Sequence, residues 1–83
     1  MLPLVLIPGA QGRWEYMKAT VDALSADFQV LTYSLRGDTM KDYVDQVSRT
    51  LDEHHIERAV ICGVSFGGLV ALRFAASVPD RTI

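Results

Sequence analysis

Residues 4–7, Leu-Val-Leu-Ile, are apolar without a break, and Pro8-Gly9 end the run. A strand with one wet face alternates apolar and polar residues, so a continuous run predicts a strand covered on both faces. From Trp14 the period changes. Trp14, Met17, Val21 and Leu24 recur at helical spacing, with Glu15, Lys18 and Asp22 between them. Residues 28–34, Phe-Gln-Val-Leu-Thr-Tyr-Ser, read as a second strand rich in β-branched and aromatic residues, followed by the loop Leu35-Arg36-Gly37-Asp38. The clearest amphipathic stripe starts near Thr39. Met40, Tyr43, Val44, Val47 and Leu51 fall on one helical face, while Asp42, Asp45, Arg49 and Asp52 fall on the other. Residues 59–64, Ala-Val-Ile-Cys-Gly-Val, form a third strand candidate. Gly67 to Val78 is apolar almost all round, broken mainly by Arg73, which predicts a buried helix, and Pro79 stops it.

The order is therefore βαβαβα, with short connections and no repeat, linker or low-complexity segment. Strands alternating with helices predict a parallel sheet built from right-handed crossovers. Composition agrees with a globular chain. Of 83 residues, 49% are hydrophobic and 22% charged, which excludes a disordered segment. A chain of this length buries only about 60–65% of its unfolded surface, so its core is thin. A net charge of -2 offers no electrostatic case for nucleic acid or an acidic membrane surface. Cys62 is the only cysteine, so no internal disulfide forms and a reducing compartment such as the cytoplasm is favoured. The apolar opening has no Lys or Arg before it and is far too short to span a bilayer, so it reads as a strand rather than a signal peptide. Residues 1–83 are expected to be the N-terminal portion of a single domain, with a further strand due near Ile83.

The candidate chemistry lies where the third strand becomes the last helix. Gly63-Val64-Ser65-Phe66-Gly67 matches G-x-S-x-G. A chance match in a chain of this length has a probability of roughly 3%, so the motif needs its context. Here it sits between a buried strand and a buried helix. A serine at such a sharp, strained turn projects its hydroxyl above the sheet, and the flanking glycines remove Cβ atoms that would collide with facing backbone. The helix that follows aims its N-terminal amides and positive dipole end at the serine, which suits a developing negative charge. The plainer alternative is a glycine-rich turn whose serine merely caps the helix. A P-loop is excluded, since no Lys-Ser/Thr pair follows the glycines, and no G-x-G-x-x-G occurs.

With these residues in view, the sequence resembles the α/β-hydrolase superfamily over essentially its whole length. "LVLIPGAQGRW" is similar to that family's third strand and oxyanion loop, "VLTYSLRGD" to its fourth strand and Arg-Gly turn, and "AVICGVSFGGLVALRFAASVPDR" to its fifth strand, elbow and following helix. The resemblance implies a three-layer α/β core with a parallel sheet of strand order 2-1-3 and Ser65 at its carboxyl edge. It implies that Ser65 is a nucleophile and that the backbone N–H groups of Ala10 and Phe66 form an oxyanion hole, with Gln11 and Gly12 shaping the same loop. Gly63, Gly67 and Gly68 are the structural glycines of the elbow. Pro8 stands where many members have His, so this loop does not identify the substrate. The expected function is that of a serine hydrolase on a small ester or related acyl compound, with no metal or cofactor, no nucleic acid and no membrane. Two alternatives remain: a non-catalytic ligand-binding member of the fold, or acyl transfer, a lyase step or C–C cleavage on the same scaffold.

Other polar residues fit plainer roles. His54 and His55 end a solvent-facing helix, where histidine interacts with the dipole and terminal carbonyls, so neither is expected to be the base. In this fold the order is Ser, acid, His, and no His follows Ser65. Asp80, the only acid downstream of Ser65, is expected at the surface. Cys62 is expected to be a small buried hydrophobe. Arg36-Gly37-Asp38 fits a turn after a strand rather than an adhesion motif. Trp14 and Tyr16 are expected to pack a helix onto the sheet. The outer edge of strand 59–64 is expected to be exposed and to invite association.

Overall fold

The computed structural model describes residues 1–9 and 13–83. Three strands, β1 (Leu2–Ile7), β2 (Phe28–Thr32) and β3 (Val60–Gly63), form one parallel sheet in the order β2-β1-β3. Val5 of β1 stands opposite Leu31 of β2 and Ile61 of β3. The expected strand order and direction are those observed.

The unbroken apolar run of β1 follows from its place in the middle. Val5 and Ile7 point to one face, where they meet Leu31, Val44, Val47, Leu51, Val70 and Phe74. Leu4 and Leu6 point to the other and meet Met17, with Trp14, Val21 and Leu24 packed around them. The first face is covered by α2 (Met40–Glu53) and α3 (Phe66–Ser77), and the second by α1 (Lys18–Leu24) and the 3-10 turn Trp14–Met17 that precedes it. Three layers result. No helix among the described residues is long and apolar enough to cross a membrane.

Two expectations need correction. α3 is not buried on every side: Gly67, Val70 and Phe74 form the covered stripe, while Leu69 is 57% and Leu72 71% exposed. Three strands and one neighbouring helix cover only part of its circumference. Tyr16 does not pack onto the sheet, being largely exposed, although Trp14 does. Cys62 is half-buried against the second core cluster and Asp80 is exposed.

Both ends of α2 are built from local hydrogen bonds. Thr39 Oγ1 accepts from the Asp42 amide at 3.2 Å, and the Asp42 carboxylate accepts from the amides of Thr39 and Asp38 at 3.1 and 2.9 Å, a capping box. Those two amides hold the Asp42 carboxyl below its ordinary value. Arg36-Gly37-Asp38 is thus the lead-in to a helix. At the far end the His55 amide donates to Asp52 O (3.1 Å) and the Ile56 amide to Leu51 O (2.9 Å), the Schellman pattern, with His55 at φ 56°. Arg81, just after α3, ties this end down by donating to Asp52 Oδ1 and Ile56 O at 2.8 Å and to Glu57 O at 3.1 Å. Beyond it, Ala59 and Thr82 form a parallel bridge on the outer side of β3.

Candidate active site

Because the strands are parallel, the carboxyl ends of β1 and β3 lie side by side. Ile7 pairs with Gly63, and the Val64 amide donates to Ile7 O at 3.1 Å. Pro8-Gly9 therefore run beside Val64-Ser65. A Cβ on Gly9 would overlap Val64 O and come within 3.0 Å of Ser65 Cβ, so the first strand's end presses against the serine.

Ser65 sits at φ 55°, ψ -117°, outside every basin favoured by a residue with a side chain. Such a conformation costs on the order of 1–3 kcal/mol and persists only where its surroundings impose it. Those surroundings are the glycines. A Cβ on Gly63 would overlap the Gly67 carbonyl, and one on Gly67 would overlap the carbonyl of Ile7 and lie 2.6 Å from that of Pro8. Strand, turn and helix could not approach this closely with side chains there. Gly68 differs, since its Cβ would be 3.7 Å from Gly63 O, an ordinary contact.

Ser65 occupies the N-cap of α3, yet its side chain makes no capping hydrogen bond. The plainer reading of the motif, a serine whose job is to cap, does not match this geometry. The residue is exposed and its hydroxyl is left uncommitted to the helix end. Gly67 and Gly68 amides are satisfied by Val64 O and Ser65 O, both at 2.9 Å. The Phe66 amide, first of the helix, has no backbone acceptor among the described residues. An unoccupied N–H at a helix N-terminus beside an uncommitted hydroxyl can receive negative charge that develops on an atom bonded to that hydroxyl's oxygen.

Ala10, with Gln11 and Gly12, lies outside the described residues. His54 and His55 are brought nowhere near the serine. α2 runs antiparallel to the strands, so its last turn lies at the amino edge of the sheet, where His54 Nδ1 donates to Thr50 O at 2.9 Å. Among the described residues no group of three or more His, Cys, Asp or Glu could hold a metal ion. Sequence reasoning missed Tyr43, which it placed only on the apolar stripe of α2. Its ring meets that of Phe66 edge to face, with centroids 5.6 Å apart and an interplanar angle of 87°. Nothing in a 23-residue separation signals that pairing; it depends on both helices starting at the same sheet edge.

Comparison with known proteins is consistent with this geometry. The profile described as "Alpha/beta hydrolase family" matches residues 4–83. A protein of Cronobacter sakazakii, provisionally named carbamate hydrolase RutD, is 33% identical over 88 residues, covering 93% of this chain and 33% of its own. The enol-lactonase of Burkholderia xenovorans LB400 superposes with a TM-score of 0.89 at 31% identity, over 98% of this chain and 35% of that one. A structure from Nitrososphaera gargenis, from work on carboxylesterases, gives 0.86 at 30% identity, over 98% and 34%. The chain thus spans about a third of the length of the curated relatives it matches.

Proposed function

The chain belongs to the alpha/beta hydrolase family, and on that premise we propose that it carries the nucleophile of a hydrolase acting on an ester or related acyl compound, with Ser65 as the attacking residue. The observation that carries this reading is the strained, uncapped conformation of Ser65 at the carboxyl edge of the sheet. Names among the relatives support the substrate class: carbamates, enol-lactones and carboxylic esters all present a carbonyl carbon bonded to a heteroatom.

In the proposed reaction Ser65 Oγ bonds to that carbon while its proton passes to a base. The carbonyl oxygen becomes an oxyanion, received by the Phe66 N–H and, as the family resemblance implies, by the Ala10 N–H. The leaving group takes the proton as the acyl–Ser65 ester forms, and water then cleaves that ester to release the acid and restore the hydroxyl. His54 and His55 do not serve as the base, because they lie at the opposite sheet edge. The base and its acid partner belong to parts of the fold beyond residues 1–83, which cover a third of the relatives' length.

The test is covalent labelling of the full-length gene product by a fluorophosphonate. Ser65→Ala is expected to abolish both labelling and turnover of an activated ester while circular dichroism stays unchanged. Loss of one triad member typically leaves only about 10³–10⁴ over the reaction in water. Labelling that survives the substitution would move the nucleophile elsewhere.

A further inference from the structure

The first turn of α3 is built from weak material. Its N-cap serine gives no capping bond, and Gly67 and Gly68 follow Phe66 directly. Uncapped helix starts leave amides unsatisfied, and glycines keep the backbone freedom that a helix must remove. Phe66 opens that turn, ahead of the two glycines and directly after Ser65, and its ring can be gripped from outside. It is gripped by Tyr43 through the edge-to-face contact.

Tyr43 is itself held at both ends. Its backbone belongs to α2, one turn inside the capping box, and its hydroxyl donates to Gly37 O at 3.0 Å. The loop carrying Gly37 is braced in turn. Gln46 Oε1 accepts from the Arg36 amide at 3.1 Å and Gln46 Nε2 donates to Ser34 O at 2.8 Å, while Asp42 holds the amides of Asp38 and Thr39. An unbroken set of contacts runs from the end of β2, through the start of α2, to the elbow.

We infer that Tyr43 is a positioning residue: its ring fixes Phe66, and through it the first turn of α3 and the Ser65–Phe66 peptide. This rests on the reading of Ser65 as the nucleophile. Oxyanion donors act only when held about 2.7–3.1 Å from the oxygen of the transition state. Loosening that turn therefore lowers the rate of the chemical step and leaves ground-state binding largely alone.

The experiment compares Tyr43→Leu and Tyr43→Phe in the full-length gene product, by amide hydrogen exchange and by ester kinetics. For Tyr43→Leu the expected result is exchange about tenfold faster at Gly67 and Gly68, no change at Val5 and Leu6, and a kcat about tenfold lower at constant KM, the scale of one aromatic pair. Tyr43→Phe keeps the ring contact and is expected to stay within about twofold of the parent in both readouts. Unchanged exchange at Gly67 and Gly68 in Tyr43→Leu overturns the inference, as does faster exchange across the whole molecule. Equal losses in both variants overturn it too, assigning the effect to the Gly37 hydrogen bond. Turnover surviving in Ser65→Ala sinks the nucleophile reading instead, a separate outcome, because the exchange measurement does not depend on catalysis.

Discussion

At the scale of the residue, two adjacent glycines that look alike in sequence do different work. Gly67 lies under the carbonyls of Ile7 and Pro8, whereas Gly68 has ordinary room. Gly67→Val is therefore expected to destroy soluble expression or the elbow conformation, because the facing atoms are backbone and cannot move aside. Gly68→Ala is expected to be tolerated and to raise helix stability by up to about 1 kcal/mol, since alanine loses less freedom on entering a helix. Thermal melts of the two variants beside Val64→Ala, which alters an exposed side chain, check both claims. The motif itself was legible, down to the serine and its two flanking glycines. The contact of Gly9 with the elbow was not, because it depends on how two strand ends meet.

At the scale of the element, α2 shows how far local chemistry reaches. Its stripe of Val44, Val47 and Leu51 is buried as the spacing predicts, and its two ends carry separable terms. His55 adopts φ 56° at the position where helices usually place glycine. His55→Gly is expected to raise stability by about 1 kcal/mol by removing the Cβ penalty of the left-handed region, seen as a higher melting temperature. At the other end, the amides of Asp38 and Thr39 hold the Asp42 carboxyl below its ordinary value. A depressed carboxyl stabilises the fold above its unfolded value, and that contribution disappears as pH falls through the folded value. The first turn of α2 is thus expected to loosen as pH falls below the usual carboxylate range, as faster amide exchange at Asp42 and Tyr43. Asp42→Asn should remove most of that pH dependence. α3 was the element least readable from sequence. Its uniformly apolar composition says that much of it is covered in the intact fold, but not which side these residues cover.

At the scale of the whole molecule, the described residues pack into a unit with a radius of gyration of 11.5 Å, near the ~12 Å expected of a compact chain of this length. Compactness does not hide all the apolar surface. Leu69 and Leu72 stand out from α3, and among the described residues the outer side of β3 is bridged only at Ala59. Exposed apolar faces and open strand edges pair with other chains. The 83-residue polypeptide made alone is expected to associate, scattering light as a species well above its 9.2 kDa, and to show no ester turnover because no base stands beside Ser65 among the described residues. Leu69→Lys with Leu72→Lys should shift it toward monomer. A monomeric parent that turns over ester would return His54 and His55 to consideration.

The sequence by itself determined which segments are strands and helices, that the strands run parallel, and that Ser65 stands at a strand-to-helix turn; that β1 lies between the other two was implied only by the family resemblance. The first three follow from short-range rules: apolar periodicity, turn residues, and the one hand that parallel crossovers take. Tertiary structure alone decided the rest. It set Gly9 against Ser65, left the serine hydroxyl free of the helix cap, exposed Leu69 and Leu72, and placed Tyr43 against Phe66. Each of these depends on where separate elements end relative to one another in space. Sequence periodicity records the direction a side chain faces on its own element, and carries no record of what stands opposite.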